Sequence, residues 1–472
     1  MNGSLRYGPF QLLLALGAVG SSLALLASPY ARWSFLPGLA IALLLLLSRR
    51  PRFGYYLLVF LIPFEFLTRL SETSRLFSLP KALGAWIVLV VLLTLLLQHG
   101  RGGALKSRLW APLGLFVVVS LCAALLSPWG VTAADHLRKL AVAIAVFALT
   151  LFFVDRRGFR ATLPSVLVGS ILANYALFVA EFAFGLSLGP GSEPIFPKAV
   201  DQPAYALPTG YSSYFVFLLP LIAYRFFQAK TVTRRFLWLA LAGVCVWAVV
   251  YLGSRAAALI FLLSLALLFA QYLELFRPRF LGLLAALAML GVVALIVLTP
   301  AAYWTRQKGV VAYETDPSIS RRVSYLKAAW DGVRQRPFLG SGPGSFSEIY
   351  ARSLEGVEFG RPEVGFRRDA HNTFIEVLIG SGFAGLALFL ALILGALANF
   401  RAAIRGFKLA GDRADELLTR SYLIMFVANL VFLLFMSNLY SKYFWISLAV
   451  SELAVRLARE RERAPAGSGA AA

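Results

Sequence analysis

The sequence predicts an all-α polytopic membrane protein with about 12–14 transmembrane helices. Three observations carry this. First, hydrophobic residues make up 59% of the 472 positions and charged residues only 14%, against the quarter or so of charged residues usual in soluble domains. Second, the mean hydropathy is +0.75. Third, the apolar residues gather into long runs, without the strand-length alternation of an outer-membrane barrel.

In chain order the runs are Phe10–Ala27, Ser34–Leu47, Gly54–Leu70, Ala82–Leu97, Ala111–Leu126, Leu140–Val154 and Leu163–Leu186. They continue with Tyr211–Phe227, Phe236–Leu252, Ala256–Leu273, Leu281–Leu298, Thr373–Phe400, Ser421–Phe435 and Tyr443–Val455. The shorter runs also suit tilted or re-entrant pairs. Arg6 precedes the first run, as in a signal peptide. No small-residue cleavage site follows, so an anchor is expected.

Alternate connections are basic: Arg49-Arg50-Pro51-Arg52, Arg101 to Arg108, Arg156-Arg157 with Arg160, Lys230 to Arg235, Arg277 with Arg279, Arg401 to Arg413, and the tail from Arg456 to Arg463. The positive-inside rule then puts both termini in the cytoplasm. It also explains the net charge of +22 through orientation and anionic membrane lipid, so no nucleic-acid partner is expected. The expected divisions are an N-terminal bundle over 1–299, an external basic loop over 300–371, C-terminal membrane helices over 372–456 and a disordered tail over 457–472. The external loop holds eleven lysines and arginines. Long loops translocate despite such charge, and an outward basic surface suits an anionic ligand such as a lipid phosphate.

Cys122 and Cys245 lie within apolar runs and read as buried thiols. Three histidines and two cysteines supply no metal-ligand cluster, and no cofactor is expected. Glu65 and Arg69, at i,i+4 spacing, read as a pair; with Asn174 and Glu181 they are membrane-embedded polar groups that a proton-coupled transporter could also use.

Four polar segments carry candidate chemistry. Arg255, in Gly253-Ser254-Arg255, stands at the mouth of a tight helix pair, where it either snorkels to headgroups or faces a cavity. Ser318 to Arg322 opens an amphipathic helix with Val323, Leu326 and Trp330 on one face. Ser318 or Ser320 is expected to cap it, and Arg321 and Arg322 make its start a candidate anion site, against a plain solvated turn. Arg336 to Phe346 is a breaker-rich turn without the Gly-Lys-Ser/Thr ending of a nucleotide loop; its glycines are expected to serve sharp turning or close packing. Asp369-Ala370-His371-Asn372 leads into the span holding Glu376 and the run Gly380 to Gly385. A lone interfacial histidine is more often structural, as His99 and His136 are expected to be in loops of their own. His371 stands apart because Asp369 and Glu376 are near enough to orient it.

Taken in order, Gly253-Ser254-Arg255, Ser318 to Arg322, Pro337 to Phe346 and His371-Asn372 with the small residues to Gly385 resemble the bacterial O-antigen ligase and O-antigen polymerase superfamily. The resemblance covers roughly the second third of the chain in detail. It implies a metal-independent, inverting glycosyltransferase on the external, periplasmic face of the cytoplasmic (inner) membrane. The implied donor is a glycan on undecaprenyl pyrophosphate; the acceptor is lipid A-core for a ligase or a lipid-linked repeat unit for a polymerase. By the same resemblance Arg255 and Arg321 or Arg322 would bind the donor pyrophosphate, and His371 would act on the acceptor hydroxyl. Arg322-Val323 with Tyr325 fits the family pattern better than Arg321. Asn372, Asp369 and Glu376 are supporting candidates. Ligase is favoured slightly over polymerase. A transporter or flippase of lipid-linked sugars is the rival from another class.

Overall fold

In the computed structural model the described residues are 46–64, 79–97, 101–185, 216–251, 255–273, 317–359 and 367–463, with a few isolated positions before 46. The structure is 86% helical, with no strand among the described residues. Among the described residues four helices are long and apolar enough to cross a membrane: Gly130–Phe153, Gly158–Glu181, Thr373–Leu409 and Arg413–Phe435. Shorter apolar helices occur at Pro51–Phe64, Pro80–Leu96, Trp110–Leu125 and Ala256–Tyr272. The fold class is an all-α membrane protein. The expected span at 281–298 and the Glu65–Arg69 pair lie outside the described residues, as do most positions of the expected spans at 10–27 and 34–47.

The chain divides into two compact units, Met1–Gly103 and Ala104–Ala472. In the first, α1 (Pro51–Leu61) and α2 (Leu79–Leu97) pack together, with Gly54 admitting Leu47 and Ile87 side chains to within 3.5 Å of where a methyl would stand.

The second unit holds α3 (Trp110–Leu125), α4 (Gly130–Phe153), α5 (Leu163–Phe184), α6 (Leu219–Gln228), α7 (Val232–Tyr251) and α8 (Arg255–Tyr272). Three helices follow in the stretch expected as the external loop: α9 (Pro317–Gln335), α10 (Phe346–Arg352) and α11 (Leu354–Phe359). The chain ends on α12 (Thr373–Leu409), α13 (Arg413–Phe435) and α14 (Lys442–Arg463). The last of these is the centre of the packing. Every residue from Tyr443 to Val455 is buried, because α12, α13 and α4 all lie against it. A helix enclosed on all sides needs no polar face.

Three expectations need correction. Helix α4 begins at Gly130, not Leu140, because Asp135, Arg138 and Lys139 satisfy one another on one face at i,i+3 and i,i+4. His136 is therefore helical and not in a loop. Helix α9 begins at Pro317, so Ser318 and Ser320 lie inside its first turns and neither precedes it as a cap; proline suits a first helical position because it has no N–H to leave unbonded. Both cysteines are free, but only Cys245 is buried, while Cys122 is exposed on the apolar surface of α3.

One end of this unit is rich in paired charge. Arg160 Nε donates to both Asp415 carboxylate oxygens at 2.7 and 2.9 Å, and its Nη2 to Asp412 at 2.7 Å. Arg413 and Arg420 both meet Glu416, at 3.0 and 2.8 Å. The opposite end gathers the start of α4, the end of α3, the starts of α12 and α14 and the turn 436–441.

Candidate functional site

The site is built where α12 begins. Asn372 caps that helix: its side-chain oxygen accepts from the Phe374 and Ile375 N–H groups at 2.9 and 3.1 Å, which satisfies two donors a helix start leaves unpaired. Glu376, one turn on, reaches back and accepts from the Ala370 N–H at 3.0 Å. Between these two anchors His371 is the one non-glycine residue with positive φ among the described residues, at 49°. That conformation is sparsely populated, and the cap and the back-bond together hold it. Thr373 ties the same turn to the neighbouring connection, donating to the Met436 carbonyl at 2.7 Å and accepting from the Asn438 N–H at 2.9 Å.

The His371 ring stacks on Tyr325, with centroids 5.9 Å apart and planes at 29°. Tyr325 is fixed from below by Phe346 and Tyr350, with centroids at 6.0 and 4.9 Å. Ser324 shares a 2.9 Å hydrogen bond with the Tyr350 hydroxyl. With Ala328, Ala329, Val333, Ala370 and Ile379 these residues form a small core that joins α9 and α10 to α12. Tyr325 lies one turn after Arg321 and Arg322, so the helix that carries the arginines is the one that seats the histidine. Arg322 is exposed, with its Cζ 5.6 Å from the Phe435 ring centroid at the end of α13.

Burial holds the His371 imidazole below the usual histidine value; Asp369 opposes this, while Arg322, Arg321 and Arg368 add to it. The outcome is a neutral imidazole near physiological pH, the form in which a ring nitrogen can accept a proton. Asp369 itself is exposed.

The glycine-rich turn after α9 mends a break in α12. That helix is interrupted at Gly382, with φ 65° and ψ −169°. A break frees backbone groups that lipid cannot satisfy. The turn supplies the partners: Ser341 and Gly342 N–H groups donate to the Ile379 and Gly380 carbonyls at 2.8 and 3.0 Å, and the Pro337 and Phe338 carbonyls accept from Phe383 and Ala384 at 2.8 and 3.2 Å. Approach this close leaves no room for a side chain at Gly382, where a methyl would strike the Phe338 carbonyl. Close packing and sharp turning are thus what these glycines do. Beyond the break, Phe383–Leu409 is about 40 Å long, enough to cross a bilayer alone.

Arg255 opens α8. At the other end of that helix, Gln271 donates to the Leu417 carbonyl at 3.2 Å, and α8 packs along α13. The two helices therefore run antiparallel, and Arg255 starts where α13 ends, the end that carries Phe435 and Arg322. The Arg255 side chain lies outside the described residues, as do Arg361 and His99. Glu181 and Asn174 stand on α5, and both are buried.

Three residues at this end were missed or misplaced by the sequence reading. Tyr325 entered only as part of a family pattern. Tyr440 stands in the turn 436–441, and its hydroxyl lies 3.1 Å from His136 Nδ1. His136 itself was legible: Thr132, Asp135, His136 and Lys139, at i, i+3, i+4 and i+7, form a polar stripe at the start of an otherwise apolar helix.

No curated protein matches the chain. Residues 237–390 match the family model described as O-Antigen ligase, a stretch that runs from α7 through α8, helices α9 to α11 and the glycine turn to the first half of α12. It contains Arg255, Arg321, Arg322 and His371. That match, over the segment that builds the site, supports the superfamily of O-antigen ligases and polymerases, whose members are glycosyltransferase-like enzymes of O-antigen assembly.

Proposed function

We propose that this end of the bundle transfers a glycan from undecaprenyl pyrophosphate to a sugar hydroxyl, without a metal and with inversion at the anomeric carbon. The acceptor oxygen attacks the anomeric carbon on the face opposite the pyrophosphate. The new C–O bond forms as the bond to the pyrophosphate breaks, and that electron pair leaves with the phosphate. The hydroxyl proton passes to the neutral His371 imidazole. Arg322, with Arg321 and Arg255, meets the charge growing on the leaving group; a guanidinium offers two parallel donors to phosphate oxygens. Asn372, Glu376 and Tyr325 hold the base, and Asp369 stabilises its protonated form.

One observation carries this reading above the others: the histidine, strained and buried enough to stay neutral, stacks on a tyrosine one turn from two arginines. The site would face the periplasm from the inner membrane, with lipid A-core the favoured acceptor and a lipid-linked repeat unit the alternative. A broken helix is also what a transporter of lipid-linked sugars would use. Here the break is filled by the protein's own turn and a full membrane-crossing length follows it, which favours a fixed scaffold.

The deciding experiment uses the full chain reconstituted in liposomes with an undecaprenyl-pyrophosphate glycan and each acceptor in turn, without ATP and with EDTA present. Transfer by wild type that vanishes in His371→Ala supports the reading, and the acceptor consumed tells ligase from polymerase. If wild type transfers to neither acceptor while moving the lipid-linked glycan across the bilayer, the transporter reading replaces it.

A further inference from the structure

His136 is the second imidazole at this end, and the mechanism above does not use it. It stands on the second turn of α4. Its Nδ1 lies 3.1 Å from the Tyr440 hydroxyl, and the two rings meet edge to face with centroids 5.5 Å apart. Its other edge lies against the glycine turn: a methyl on Gly344 would stand 2.5 Å from His136 Cδ2 and 2.6 Å from Nε2. Gly344 has φ +78°, so the backbone presses on the ring where no side chain could intervene. The imidazole is thus gripped between the turn 436–441 and the turn that mends α12. Asp369, two residues before His371, is close enough for its charge to act on both imidazoles.

Packing alone does not call for an imidazole here. A phenyl ring would fill the same space but would leave the Tyr440 hydroxyl without its nitrogen partner. What the ring touches also has a fixed route to the base. Gly344 belongs to the turn whose Ser341 and Gly342 N–H groups hold the Ile379 and Gly380 carbonyls. Those carbonyls end the short first segment of α12, which His371 and its cap begin.

We propose that His136 is a positioning residue for the transfer reaction: with Tyr440 it seats Gly344, and through the glycine turn it sets the height of the first segment of α12, and so of His371, against the arginines of α9. The proposal rests on the transferase reading given above.

The test is steady-state kinetics of His136→Ala, His136→Gln and Tyr440→Phe in the reconstituted assay, with a melting curve for each. A base misplaced by a fraction of an ångström should lower kcat of His136→Ala by about tenfold to 100-fold, with KM for the lipid-linked donor within about twofold of wild type. His136→Gln, which can still bond Tyr440, should recover most of the loss. Tyr440→Phe should lose about fivefold, and the His136→Ala/Tyr440→Phe double variant should be no worse than His136→Ala, since both remove one contact. A wild-type kcat in His136→Ala overturns the proposal. So does a loss that glutamine does not repair and that follows the melting temperature, which marks structural support only. If His136→Ala does not fold, Tyr440→Phe decides, and a wild-type kcat there overturns it. An inactive wild type would instead remove the transferase reading, and this inference with it; an active wild type with unaffected variants removes the inference alone.

Discussion

The two ends of the 104–472 unit use the same residue types in opposite ways. At one, Arg160, Arg413 and Arg420 close on Asp412, Asp415 and Glu416 at 2.5–3.0 Å, and the Asp415 and Glu416 carboxylates are only 2% exposed. At the other, three guanidiniums and the exposed carboxylate of Asp369 act together on one imidazole. The first end neutralises its charge inside the fold and locks helices. The second keeps a net positive field around a neutral base, the arrangement an anionic leaving group needs. Charge buried among its partners builds architecture, while the charge gathered around His371 is what the proposed transfer would draw on.

Substitutions at each end should separate activity from stability. The largest effect is expected for His371→Ala, a loss of about 10²- to 10⁴-fold in kcat with little change in melting temperature, read by product formation in the reconstituted assay. Next, Arg322→Ala and Arg255→Ala should each weaken transfer by more than about tenfold, with lysine a poor substitute because a point charge cannot make the two-pronged contact. Full activity in either alanine variant would remove that arginine from the donor site.

At the opposite end, Arg160→Ala should leave kcat unchanged and destabilise the protein by about 1–3 kcal/mol, because it strands the buried Asp415 carboxylate. Thermal melting in detergent reads this; a large activity loss without a stability loss would erase the contrast between the ends. Gly382→Ala belongs between the two classes. It should cost at least about 1–3 kcal/mol of stability from the backbone conformation alone, and it should lower activity too, because the break it disturbs leads to His371.

The smallest effect is a displaced pH limb. The base works only when neutral, and burial lowers its folded-state value below the ordinary 6.5. Activity should therefore persist as pH falls through 6.5 and be lost only below it. The same shift means that the unfolded chain takes up a proton at this residue before the folded protein does, so His371 costs stability progressively below pH 6.5. An acid limb at or above 6.5 would show that the imidazole is not desolvated.

Much of this was legible in the sequence, for identifiable reasons. Apolar runs gave the all-α membrane fold because lipid imposes both length and composition. Arg321, Arg322 and His371 stood out because charged and titratable groups are rare next to such runs. The partnership between the Pro337–Phe346 turn and the Gly380–Gly385 run was not legible. Each segment reads as small and flexible, and nothing in either names the other as its hydrogen-bond partner. Asn372 read as a supporting polar residue, and only the cap geometry shows that it orients the turn. His136 was read into a loop because the apolar run begins only at Leu140 and the polar stripe before it was passed over. Cys122 shows the limit of composition, since an apolar run in lipid does not say which side faces inward.

The mended break in α12 also bears on how the chain is made. The carbonyls of Ile379 and Gly380 and the N–H groups of Phe383 and Ala384 cannot be left bare in lipid. Their partners, Pro337 to Gly342, come earlier in the chain, on the segment expected to be exported first. On the expected topology, export of that segment and formation of the turn that follows α9 come before α12 settles in the bilayer. A lesion that delays folding outside the membrane would therefore show itself as a failed insertion inside it.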